Sequence, residues 1–226
     1  YEGNTSKPDA HTFIHETGHM LGLDDYYDYT DGTNIAPAGQ LDMMDYNIGD
    51  HNAYSKYFLD WIEPTFVSKS ETITIKPFES SGEAIIVPSS TNDYMSPMNE
   101  YLIIEYYTPT GLNEKDSQAR YANKYPLLYT NSGVKIYHVD ARIGYYENYN
   151  FLFYSDEVFS SSDESGVVST QLVHSNTPSK SQNHKYHLYH LLEKGATTKL
   201  TRPGSVANND CLFYEGDRFD PEIFNR

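Results

Sequence analysis

Residues His15 to Asp25 read HETGHMLGLDD, and the chemistry expected of the chain is decided there. Within it His15-Glu16-x-x-His19 places two imidazoles four residues apart, one above the other on a helix, so both can bind one zinc ion. Glu16 follows the first ligand, where a carboxylate can reach a water on that zinc. Zinc lowers the pKa of such a water towards 7, and a nearby carboxylate takes its proton as the water attacks a carbonyl. Gly22 can adopt the left-handed turn that ends the helix and brings Asp25 back to face the metal. A chain of this composition contains HExxH by chance about 0.02 times, and requiring Gly22 and Asp25 lowers that to about 10⁻⁴, so the pattern carries information. The competing reading is a helix with surface histidines and no metal.

Working outward, Asp9 to about Leu23 has helical character. Asp9 is a possible N-cap, and Phe13, Ile14, Met20 and Leu21 can share an inner face. Asp24 to Asp50 is rich in Asp, Tyr, Gly, Asn and Pro, which predicts an ordered loop. Ala53 to Trp61 (AYSKYFLDW) predicts a second short helix, ended by Pro64. The period then changes. Glu71 to Lys76, Ala84 to Val87, Tyr101 to Tyr107 and Val134 to Val139 are predicted strands. Phe159 to Ser165 is a polar, acidic connector, and the tail YEGDRFDPEIF is a strand-and-turn candidate.

Asp24 and Asp28 also lie near the helix exit. The spacing favours Asp25 as third ligand with Asp28 as the rival, and Asp24 and Asp28 would otherwise support the site or bind calcium. His11 shares the face of His15, but zinc does not need a third histidine in that column. Asp50 and His51 could support the metal site or cap the following helix. His138 alternates with apolar neighbours as a strand residue does. His184, His187 and His190 recur every third residue, which suits neither face of a strand and on a helix could make a second metal site.

The string HETGHMLGLDDYYDY, together with GQLDMMDYNIGDHNAYSKYFLDWIEP (Gly39 to Pro64), resembles the immune-inhibitor-A-like (M6) secreted bacterial metallopeptidases, whose metzincin-type pattern is HExxHxxGxxD. Weaker similarity runs through EYLIIEYY, GVKIYHVD and YEGDRF. The resemblance implies peptide-bond hydrolysis on protein or peptide substrates outside the cell or at its surface. It implies His15, His19 and Asp25 as zinc ligands, Glu16 as general base, Met44 as the methionine turn beneath the metal, and Tyr46 as a tyrosine reaching the metal or the oxyanion. An ordinary loop role for Tyr46 stays open. In metzincins an upstream subdomain forms the upper wall of the cleft. Only ten residues precede His11, and the chain begins at Tyr1, so it reads as an excised piece of a longer precursor.

Composition bounds the rest. With Lys+Arg 16 against Asp+Glu 32 over 226 residues, the net charge of −16 opposes nonspecific binding to nucleic acid or anionic lipid and leaves calcium a plausible second ion. A single cysteine, Cys211, excludes an internal disulfide and a Cys-based zinc finger. No apolar run approaches membrane-spanning length. Tyrosine is abundant, 22 residues against 10 Phe, which points to strands or to a Tyr-lined recognition surface. The expectation is a monomeric α+β protein: a zinc-binding segment, 1–67, on a β-rich sandwich or barrel-like body, 68–226. The alternative is a noncatalytic Tyr-rich β module that binds protein or glycan.

Overall fold

The computed structural model describes residues 10–28, 35–89, 96–147, 150–153, 171–172, 176, 187–194, 200 and 204–220. Asp9, His184 and the connector Phe159 to Ser165 lie outside them. The chain is α+β. Helix α1 (Ala10–Met20) carries the HExxH pattern, and short helices α2 (Met43–Tyr46) and α3 (Ala53–Phe58) follow it. The order continues through β1 (Thr65–Phe66), α4 (Phe78–Ser81), β2 (Ala84–Pro88), β3 (Glu100–Tyr107), α5 (Glu114–Gln118) and β4 (Gly133–Asp140). It ends with β5 (Ile143–Glu147), β6 (Asn150–Phe153), β7 (Gln171–Leu172) and β8 (Tyr189–Leu191).

The main sheet is mixed and five-stranded, in the order β1-β2-β3-β4-β8; β1 and β2 run parallel and the other pairs antiparallel. Strands β6, β5 and β7 form a separate sheet of three. In β3 burial alternates, so Tyr101, Ile103, Glu105 and Tyr107 face inward opposite Val139, Tyr137, Lys135 and Gly133 of β4. That face meets Leu23, Tyr26, Met44, Ile48 and Tyr54 in one cluster that runs across position 67. The other face carries a smaller cluster of Ile136, Leu192 and Phe213.

Seven of the tyrosines are buried in this core. Tyr137 stacks on Tyr189 at 4.4 Å, and Tyr26 and Tyr54 close on the same ring at 4.8 and 5.7 Å. These rings join the loop after α1 to the sheet, each burying a large apolar area with a polar tip that needs a partner. The Tyr26 hydroxyl shares a hydrogen bond with Ser55, and Tyr107 donates to the Tyr129 carbonyl. Asn176 stitches the same region, donating to the Tyr26 and Tyr189 carbonyls and accepting from the Tyr189 amide.

Five sequence expectations are corrected. Phe13, Ile14, Met20 and Leu21 do share a face of α1, but it is the exposed one, with Met20 86% accessible. The side that packs inward carries His15 and Gly18, because that side meets α2. Glu71 to Lys76 pairs with no strand among the described residues: Thr65 and Phe66 already occupy the edge beside β2, and the Val67 amide extends that contact to Ile86. The helix predicted to reach Trp61 stops at Phe58. Asp60 there takes a left-handed φ of 57°, and the Trp61 amide returns to the Lys56 carbonyl. Of the triplet-spaced histidines, the two described, His187 and His190, lie on no helix. His190 is in β8 opposite His138, and His187 just precedes that strand. Just before the tail YEGDRFDPEIF, Phe213 makes a single bridge to Val134, and no strand forms over residues 214–220 of the tail, the part that is described.

Candidate metal centre

Helix α1 ends in a Schellman motif, in which Gly22 at φ +103° returns its amide to His19 and the Leu23 amide reaches the Gly18 carbonyl. This reversal carries Asp25 back beneath the helix. The Tyr26 amide then donates to the Met44 carbonyl at 2.8 Å, and His15 Nδ1 donates to the Met43 carbonyl at 2.7 Å. Two successive carbonyls of α2 thus fix both halves of the site. Helix α2 is set in turn by Asp42, which caps it by accepting from the Met44 amide and also accepts from Asn52 Nδ2. Burial pushes the Asp42 carboxyl up to about 6, against those hydrogen bonds and the charge of Lys135.

Met44 is fully buried under α1. A Cβ at Gly18 would lie 2.6 Å from its Sδ and 3.4 Å from His51 Cε1, so the glycine inside HETGH is what lets the helix settle onto the methionine. His51 is a buried wedge there, edge-on to Trp61, and burial lowers its pKa. Asn52 rather than Asp50 caps α3; Asp50 accepts from the His51 amide and pairs with Lys56. His11 stacks on Tyr121 at 4.0 Å and contacts both oxygens of Asp116 at 3.1 Å, which anchors α1 away from the site.

The structure brings His15, His19 and Asp25 together as a group that could hold a metal ion. His15 Nε2 and His19 Nε2 are 3.1 Å apart, and Asp25 Oδ1 lies 3.1 and 3.3 Å from them. Ligand atoms on a tetrahedral zinc with bonds of about 2.0–2.1 Å stand about 3.3 Å apart, so the three match one face of that polyhedron. The hydrogen bonding agrees. His15 Nδ1 and His19 Nδ1 both face backbone carbonyls, of Met43 and Leu23. A carbonyl can only accept, so each Nδ1 carries its hydrogen and each neutral ring turns the Nε2 lone pair inward. Two lone pairs and a carboxylate oxygen then converge, an arrangement that repels itself unless positive charge sits among them. Burial holds the pKa of His15 down, but Asp25, the Met43 carbonyl and the charge of Glu16 outweigh it and raise it, which marks the same pull for positive charge.

Glu16 is exposed on α1 and makes no hydrogen bond or ion pair among the described residues, while its charge reaches both His15 and Tyr27. Asp28 is not part of the ligand group; its amide donates to the Ile35 carbonyl. Tyr46 packs against Tyr27 and Tyr125, with ring centroids 6.3 and 5.7 Å away. The tyrosine that engages a ligand is Tyr27, hydrogen-bonded to Asp25, with its pKa raised by burial and by that carboxylate. Sequence reasoning passed over it because one tyrosine in YYDY looks like another; its signal is the offset of two from the ligand. Tyr27→Phe is expected to weaken zinc affinity by about 10–100-fold, read by competition with a chromophoric chelator. An unchanged affinity would remove Tyr27 from the site.

No second group of three or more His, Cys, Asp or Glu gathers at ligating distance among the described residues. His138 instead contacts Glu100 at 3.0 Å. No described helix is long and apolar enough to cross a membrane. Comparisons with protein-family models, curated proteins and solved structures return no match.

Proposed function

We propose that this chain carries the catalytic centre of a zinc metallopeptidase that hydrolyses peptide bonds of protein substrates. The observation that carries the reading is the convergence of His15 Nε2, His19 Nε2 and Asp25 Oδ1 within 3.3 Å, one residue from an unengaged glutamate. His15, His19 and Asp25 would hold the ion, and zinc bound there supplies a Lewis acid that acidifies water and polarises a carbonyl. Glu16 takes the proton from the attacking water and delivers it to the leaving amine. The Met43 and Leu23 carbonyls keep both imidazoles in the tautomer that presents Nε2, and Tyr27 orients Asp25. Met44 and Gly18 fix the height of α1 over this floor.

The resemblance of His15–Asp25 and Gly39–Pro64 to the immune-inhibitor-A-like metallopeptidases supports the same reading. On it, the protein acts outside a bacterial cell. The test is hydrolysis of denatured casein before and after chelation, with zinc content measured on the same sample. Activity lost with the metal and restored by about one equivalent of zinc is expected; hydrolysis indifferent to chelation would sink the proposal.

A further inference from the structure

The hydrogen bonds beneath the metal ligands close on themselves. The Met44 amide donates to Asp42 Oδ1 at 2.9 Å, and Asn52 Nδ2 donates to Asp42 Oδ2 at 2.6 Å. Asn52 Oδ1 in turn accepts from the Ser55 amide at 2.8 Å, and the Ser55 and Tyr26 hydroxyls meet at 2.7 Å. The Tyr26 amide then returns to the Met44 carbonyl at 2.8 Å, which completes a ring through Asp42, Asn52, Ser55, Tyr26 and Met44. All five residues are buried, none more than 3% exposed. The ring joins the caps of α2 and α3, and the Ala53 amide ties its α3 side to Glu105 of the sheet.

This ring dictates the chemistry at position 42. Asn52 Oδ1 is taken by the Ser55 amide, so Asn52 presents only a donor to Asp42, and the Met44 amide presents another. Position 42 therefore has to supply two acceptors and no hydrogen, which among side chains of this size only a carboxylate does. The ring also reaches the ligands. Met43, held inside α2, accepts from His15 Nδ1, and Tyr26 is the residue after Asp25.

We propose that Asp42 is a positioning residue for the zinc ligands, acting as a carboxylate through this ring. The inference rests on the metallopeptidase reading and adds the group through which acid loosens the site. The titratable groups whose charges bear on Asp42 include Lys135 and Glu105 of the sheet, Asp45 of α2, and Tyr26, Tyr129, Tyr137 and Tyr189. Burial outweighs Asn52, the Met44 amide and Lys135 and pushes the carboxyl up to about 6. The shift is upward, so the folded protein takes up this proton as pH falls through that value. A protonated Asp42 sets a hydrogen against Asn52 Nδ2 or the Met44 amide, and the ring loses a bond.

The experiment reads zinc affinity at pH 7.5 by competition with a chromophoric chelator. Asp42→Asn sets donor against donor and Asn52→Asp sets carboxylate against carboxylate, so each should weaken zinc binding by about tenfold. Combined, the two substitutions only reverse the bond between these side chains, with the donor now at 42 and the acceptors at 52, and affinity should return to within about threefold of wild type. Ile136→Ala, in the cluster on the sheet's other face, lowers the melting temperature with the ring intact and should leave zinc affinity unchanged, which separates positioning from stability. In the zinc-free protein the Asp42 carboxyl carbon should titrate by NMR with a midpoint of about 6, and the Tyr26 amide should lose hydrogen-exchange protection over the same range. Wild-type affinity in both single variants, a combined variant that binds no tighter than either, or Tyr26 protection indifferent to the Asp42 titration would overturn the proposal. A wild type that takes up no zinc defeats the metallopeptidase reading along with it; zinc affinity indifferent to all of these substitutions defeats this inference alone.

Discussion

Glu16→Gln is expected to lower kcat/KM on peptide substrates by about 10²–10⁴-fold while leaving zinc content and melting temperature unchanged. The substitution keeps shape and polarity and removes only the ability to take a proton. Glu16 is exposed and makes no hydrogen bond among the described residues, so the fold loses nothing with it. Its charge contributes to the raised pKa of His15 only as the last of several causes, so the ligand set should hold. Such a separation of activity from metal content distinguishes a general base from a structural carboxylate. Activity close to wild type would remove Glu16 from the reaction.

Lys135→Met is expected to destabilise the protein by about 3–5 kcal/mol, a fall in melting temperature of roughly 6–20 °C. Lys135 pairs with Glu105 across β3 and β4, both buried on the inner face. The ammonium also sits among the rings of Tyr107, Tyr129 and Tyr137, at 5.1–5.9 Å. The other oxygen of Glu105 accepts from the Ala53 amide at 2.7 Å, so the pair fastens α3 to the sheet. Removing the lysine leaves a buried carboxylate without its cation, and that uncompensated charge, more than the lost contact, is the source of the cost. Glu105→Gln added to Lys135→Met should therefore recover part of the loss, because Gln keeps an acceptor for Ala53 and carries no charge. Equal denaturant midpoints for Lys135→Met and wild type would refute this.

The site was more legible in the sequence than the body that supports it. His15, His19, Gly22 and Asp25 are bound by helical pitch and by one glycine turn, both local constraints that spacing exposes. The strands of the main sheet were legible for a related reason, since the alternation in Tyr101–Tyr107 is enforced by one buried face. Glu71–Lys76 alternates too, yet whether such a run joins a sheet depends on a vacant edge, and residues 65–67 hold the one beside β2. The apolar side of α1 misled because the side bearing His15 and Gly18, not the one with the largest apolar side chains, packs against α2. Tyr27 was hidden for a third reason: several tyrosines crowd the YYDY stretch, and only the fold shows which of them meets Asp25.

A crystal of the protein grown with equimolar zinc, with anomalous data on both sides of the zinc absorption edge, addresses the metal centre itself. A peak present only above the edge, bonded to His15 Nε2, His19 Nε2 and Asp25 Oδ1 at about 2.0–2.2 Å, is the predicted result. No peak there, or zinc bound elsewhere with these three side chains apart from it, would contradict the assignment.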